Sequence, residues 1–216
     1  VVLNKGVAGN NSAQLVQRVD KDVVAEKPDL VLIMVGTNDM INSQKFVSFD
    51  SYFANLKEIV SKIRAGSTAT KIVLANVLPV DEDYLFQRHD KALYSLLPNN
   101  KLDSLNAMLF NFAKDNKLHF VDVNQDFRNE NMSFKESSSL LINRLNGGVD
   151  DGVHPTKLGY ELIANRFYDT LCKDKLLRRK MRIICFGDSI TYGAFMEGKG
   201  TSIGDTYPAK LLVLLK

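Results

Sequence analysis

Five short apolar runs rich in β-branched residues, each separated from the next by a longer segment with a helical repeat, constrain this chain more than any other feature. The runs are Val1 to Asn4, Leu30 to Val35, Lys71 to Asn76, Leu118 to Val123 and Arg182 to Phe186. Strands that read as continuous apolar runs are buried on both faces, and parallel neighbours need a crossover, usually helical, to connect them. The crossovers are visible. Leu15, Val19 and Val23 recur every four residues, as one face of a helix requires. Phe53, Leu56, Val60 and Ile63 form a second stripe, Leu102, Leu105, Leu109 and Phe112 a third, and Leu158, Leu162 or Ile163, Phe167 and Leu171 a fourth. The pattern predicts an α/β protein in three layers, α/β/α, with a five-stranded parallel, doubly wound sheet. Such sheets bind ligands outside the carboxyl ends of their strands. All 216 residues read as a single domain, 1–216, long enough to bury a substantial core.

Composition narrows the partners. A formal net charge of +3 gives no electrostatic footprint for nucleic acid or an anionic membrane, and RNP-like, zinc-finger and Arg-rich signatures are absent. No apolar run approaches the roughly 20 residues of a transmembrane helix, so no integral membrane segment is expected. The start of the chain lacks a charged region followed by an apolar one, which favours a cytoplasmic protein, with secretion left open for a trimmed chain. Cys172 and Cys185 belong to no CxxC or metal-spaced cluster, and Cys185 reads as a buried thiol in a strand. The basic run Lys173 to Lys180 reads as a solvated helix end. Gly198-Lys199-Gly200-Thr201 lacks P-loop spacing. Asn10-Asn11-Ser12 and Asn131-Met132-Ser133 fit the glycosylation pattern but carry little weight without a secretory signal.

Chemistry concentrates at the ends of the predicted strands. Arg182 to Phe186 runs into Gly187-Asp188-Ser189-Ile190-Thr191-Tyr192-Gly193, which exposes a serine at a strand's carboxyl end. Alone, that serine reads as a turn or helix cap. Asp150-Asp151-Gly152-Val153-His154-Pro155 changes the balance. An aspartate three residues before a histidine can hold one ring nitrogen and leave the other to take a serine proton. His119 lies in an apolar strand pattern and His89 in the irregular stretch Leu78 to Asn100, and neither is expected to be catalytic. Gly6-Val7-Ala8-Gly9-Asn10-Asn11 follows the first strand and Gly36-Thr37-Asn38-Asp39 the second, adding a backbone and an amide donor to the same rim. Two donors beside a serine–histidine pair are what a tetrahedral oxyanion needs.

GDSITYG, NKGVAGNN, VGTND and DGVHP resemble the four sequence blocks of the SGNH/GDSL hydrolases, and the strands and helices between them match that family's layout. The resemblance implies a flavodoxin-like sheet. It further implies Ser189 as nucleophile, His154 as base and Asp151 behind it, with Asp150 one place off the spacing. The oxyanion hole would be the Ser189 N–H, the Gly9 N–H and the Asn38 side-chain amide. It implies no metal and no cofactor, and one histidine beside aspartates is a poor zinc set. The expected function is a serine esterase acting on small-molecule esters with short acyl chains, such as acetyl esters of sugars or small lipids. An acyltransferase on the same site and an inactive carbohydrate- or lipid-binding module are the alternatives. Met40 to Ser48, Leu78 to Asn100 and Asn129 to Gly148 are the expected substrate walls. One departure is large: the family's GDS block comes first, whereas here residues 182–216, corresponding to the usual first strand and helix, come last. Met181 stands where a start methionine would. The order is that of a circular permutation or of two segments out of native sequence.

Overall fold

The computed structural model describes residues 1–129 and 134–216, and in it the five apolar runs form one parallel sheet. In chain order the elements are β1 (Val2–Gly6), α1 (Ser12–Asp22), β2 (Leu30–Met34), α2 (Thr37–Ile41), α3 (Phe49–Gly66), β3 (Lys71–Ala75), α4 (Glu82–Phe86) and α5 (Pro98–Asp115). There follow β4 (His119–Val121), α6 (Asn124–Asn129), α7 (Arg144–Gly147), α8 (Lys157–Lys173), β5 (Ile183–Gly187), α9 (Ser189–Tyr192) and α10 (Tyr207–Leu214). The strand order is β1-β5-β2-β3-β4. The last strand in sequence therefore lies inside the sheet, with Ile183 paired to Val2 on one side and Leu30 on the other.

Alternation along the strands divides the core. Val31 and Ile33 of β2, with Ile184 and Phe186 of β5, meet Leu15 and Val19 of α1, Leu56 and Ile63 of α3 and Leu102 and Leu109 of α5. Leu30, Leu32 and Met34, with Ile183 and Cys185, face Tyr160, Ile163 and Phe167 of α8 and Tyr207 and Leu211 of α10. Each fully buried aliphatic side chain contributes about 1.5–3 kcal/mol, so a sheet covered on both faces is the stable use of these runs. Local signals start the helices. Asn11 and Gln14 form a reciprocal capping box on α1, both bonds at 3.1 Å. Thr156 caps α8 through Gly159 N–H, and Thr206 caps α10 through Ala209 N–H.

The departures have local causes. β4 is shorter than the run Leu118 to Val123 because the Asn76 side chain takes the Val123 and Asn124 N–H groups, at 2.8 and 3.0 Å, that a longer ladder would use. Leu158 sits in the first turn of α8 and is 67% exposed; the buried stripe runs instead through Tyr160, Ile163, Phe167 and Leu171. On α3 the stripe is led by Tyr52, whose hydroxyl donates to the Val35 carbonyl at 2.8 Å, while Phe53 is half-buried and packs on Phe112.

Candidate active site

Because β5 lies between β1 and β2, the segments leaving all three carboxyl ends are neighbours. Close approach of backbones makes this possible. A Cβ on Gly187 would stand 2.2 Å from the Met34 carbonyl oxygen and 2.3 Å from Thr191 Oγ1, so only glycine fits where β5 turns into α9. Arg18 fastens the rim: it donates to the Lys5 carbonyl at 2.9 Å, the Gly187 carbonyl at 2.7 Å and Asn10 Oδ1 at 2.8 Å. Its planar guanidinium also lies over the Phe186 ring, 4.5 Å from the centroid.

Ser189 is the first residue of α9, capped by Asp188 through Ile190 N–H at 2.9 Å. The segment before α8 brings His154 to it from the other direction. Ile142 N–H donates to the His154 carbonyl and Gly152 N–H to the Ile142 carbonyl, both at 2.8 Å, and Leu141 bridges Pro155. His154 Nε2 then lies 2.9 Å from Ser189 Oγ, and Nδ1 lies 2.9 and 3.0 Å from the two Asp151 oxygens. Burial alone would push the Asp151 carboxyl up. The His154 ring, with the His154 and Val153 N–H groups at 2.7 and 3.0 Å, outweighs burial and holds it below the ordinary carboxylate range. Asp150 turns away to Arg144, whose Nε is 3.0 Å from it.

Asn38, on α2, donates its side-chain amide to the Asn10 carbonyl at 2.9 Å, which ties the two predicted donor segments together. An amide nitrogen has two hydrogens, so one remains for a ligand. The Ser189 and Gly9 N–H groups have no acceptor among the described residues. Next to Asn38, Asp39 is fully buried and accepts from Ser12 N–H, 3.0 and 3.1 Å, with burial raising its carboxyl.

Several participants carry no local sequence signal. The Lys45 ammonium donates to the Gly9 carbonyl and to Gln14 Oε1, clamping the segment that holds Gly9. Arg88 grips the Asp150 and Asp151 carbonyls, both at 2.6 Å. Phe195 lies against the His154 ring, centroids 5.3 Å apart. Asp188 belonged to a quoted block, yet nothing in its neighbours announced that burial pushes its carboxyl up to about 7, with Asp39 adding to the effect.

The remaining expectations resolve locally. His89 contacts Ser43 Oγ at 2.9 Å, and His119 pairs with Asp174 at 2.5 Å. Cys185 is buried, Cys172 exposed, and both are free thiols. Asn10 is 8% exposed and bonded to Arg18, so its glycosylation pattern is inaccessible. The second pattern, at Asn131-Met132-Ser133, lies outside the described residues, as does part of the expected wall Asn129 to Gly148. In the other two walls Phe46 and Phe86 each pack edge to face on Tyr94, centroids 5.1 and 5.4 Å away. Among the described residues no helix is long and apolar enough to cross a membrane, and no group of His, Cys, Asp and Glu is placed to hold a metal ion.

Comparison with known proteins decides the family. The profile of the GDSL-like lipase/acylhydrolase family matches residues 1–162. The chain belongs to that family. The matched stretch contains the Gly9, Asn38 and Asp151–His154 segments and stops before β5. Membership makes the chain a carboxylic ester hydrolase. It is similar to an acetylxylan esterase of Geobacillus stearothermophilus, 27% identical over 77% of this chain and 69% of that one. Among solved structures of GDSL-type enzymes, a GDSL-like lipase from Bacteroides thetaiotaomicron is 26% identical with a TM-score of 0.57, over 79% of this chain and 75% of that one. A mutant of an acetyl-xylooligosaccharide esterase from Geobacillus is 25% identical with a TM-score of 0.59, over 77% and 70%.

Proposed function

We propose that this esterase removes short acyl groups, acetyl above all, from sugars or small lipids, using Ser189 as nucleophile, His154 as base and Asp151 as the group that orients it. The observation that carries the reading is the continuous contact from Asp151 through His154 to Ser189, 2.9 Å on each side of the ring. Asp151 keeps the proton on Nδ1 and leaves Nε2 basic toward Oγ. Oγ attacks the ester carbonyl carbon as its proton passes to Nε2. The oxyanion takes hydrogen bonds from the Ser189 N–H, the Gly9 N–H and the free hydrogen of the Asn38 amide. The carbon–oxygen bond then breaks, Nε2 protonates the leaving alcohol, and a water activated by the same nitrogen releases the acid. The acetylxylan esterase relative supports acetyl as the acyl group and a sugar as the alcohol.

Residues 182–216 are proposed to occupy the place of the family's first strand and helix, within one domain of 216 residues whose order resembles a circular permutation. Counted from β5, the strand order becomes 2-1-3-4-5, the flavodoxin-like arrangement. Val1 N–H donates to the Met181 carbonyl at 2.6 Å, and Val1 and Lys216 line one cavity, so the segments that such an order would join lie at the same end of the fold. A solved catalytic mutant of the Geobacillus acetylxylan esterase carries its replaced serine near the start of its chain, consistent with that order.

Hydrolysis of p-nitrophenyl acetate tests the reading. Ser189→Ala should abolish turnover, and Asn38→Ala should lower kcat about 10²–10³-fold with little change in KM, since it removes one oxyanion donor. Undiminished turnover by folded Ser189→Ala would refute it.

A further inference from the structure

We propose that a cleft at the β4 edge of the sheet docks a neutral glycan segment, giving the esterase a second hold on a polymeric sugar substrate. The inference rests on the sugar-ester reading above. The cleft, about 620 Å³, lies between α5, the end of β4 and α6, and its size falls within the roughly 300–1,000 Å³ of ligand sites. It is apart from the Ser189 centre: three strand spacings of about 4.8 Å separate β4 from β5, or roughly 14 Å.

Three features of the lining fit a polyol. Phe110 is 55% exposed, and Phe120 beside it is perpendicular at 5.5 Å, so its one aromatic neighbour covers at most one face. An aromatic face left open is a platform for the C–H face of a pyranose. Around it stand the exposed amides Asn111 and Gln125 and the carboxylates Asp103 and Asp122, groups that answer hydroxyls acting as both donors and acceptors. The two carboxylates are also held in place. Asp122 Oδ1 accepts from Asn76 at 2.7 Å and from Gln125 N–H at 3.2 Å, which leaves Oδ2 without a partner among the described residues. Charge selects against anionic ligands: among the described residues Arg128 is the one cation in the lining and is paired with Asp103 at 2.6 Å, leaving Asp122 in excess. An anionic ligand would meet a net negative cleft, whereas a neutral sugar chain meets no such penalty.

Unsubstituted xylohexaose is the probe, because it carries no ester and reports docking without turnover. Calorimetry should detect its binding to the wild-type protein, and Phe110→Ala should weaken it about five- to tenfold, the scale of one aromatic contact. Phe110→Tyr should retain binding. On acetylated xylan, Phe110→Ala should raise KM by a similar factor with kcat unchanged, and p-nitrophenyl acetate turnover should not move. No binding of xylohexaose to the wild type, or equal binding by folded Phe110→Ala, would overturn the proposal. Failure of the esterase reading would look different: xylohexaose would bind in a Phe110-dependent way while p-nitrophenyl acetate stayed intact, and docking would stand.

Discussion

His154 has two ring nitrogens in unlike surroundings, a buried carboxylate on one side and a serine hydroxyl on the other, and that asymmetry is what a proton shuttle needs. Asp151 stabilises the fold as long as it is ionised. Its folded-state carboxyl titrates below the unfolded value, so its contribution is present above the unfolded pKa and is lost as pH falls through the folded one. Asp188 behaves in the opposite sense. Burial first, then the charge of Asp39, pushes it up to about 7, whereas in the unfolded chain it ionises near the ordinary value of about 4. As pH rises from about 4 to about 7, the unfolded chain sheds a proton that the folded one retains, and the native state loses stability across that window. Asp188→Asn preserves an acceptor for Ile190 N–H and cannot ionise. Urea unfolding should therefore show the variant gaining on the wild type between pH 4 and 7 and no further above 7; a difference independent of pH would contradict this. Ser189, His154 and Asp151 were legible in the sequence because their blocks are local, with Asp and His three positions apart. Lys45, Arg88 and Phe195 were not: Lys45 and Arg88 lie in segments expected only as substrate walls, with nothing local to say that they grip backbone carbonyls of the site, and Phe195 follows the GDSITYG block without belonging to it.

At the scale of elements, the turn before α8 is where sequence and geometry meet most tightly. Gly152 has φ +67°, and a Cβ there would stand 2.6 Å from the Cβ of Asp81, whose own N–H donates to the Gly152 carbonyl at 2.8 Å. Gly152→Ala combines left-handed strain, about 1–3 kcal/mol, with a clash that displaces the neighbouring His154. A lowered Tm with a loss of kcat larger than the stability change accounts for is the expected result; an unchanged Tm would show that the turn yields more easily than its contacts imply. The five strands and the main helices were readable because apolar period reports burial directly. Their edges were less so. β4 ends early through a side chain of β3's exit loop, Asn76, and Leu158 matches the α8 repeat while pointing to solvent, because period alone does not say which turn of a helix the sheet covers.

Across the whole molecule, sheet topology accounts for a site assembled from distant parts of the chain. With β5 between β1 and β2, the Gly9, Asn38 and Ser189 segments leave adjacent strands, whichever of them comes first in sequence. Triads depend on this geometry and occur in several chain orders. The sequence blocks made that convergence predictable, and a flavodoxin-like sheet with residues 182–216 as its first strand and helix already implies an interior β5; the strand pairing, which couples residues more than 150 positions apart, has β5 there. Ser189 is the group proposed to take the acyl chain. The most direct measurement is mass spectrometry of the protein after reaction with a fluorophosphonate, which traps an activated serine covalently. A single adduct is expected on the peptide containing Ser189, formed much more slowly in His154→Ala. An adduct on another residue, or equal labelling of the folded histidine variant, would contradict it.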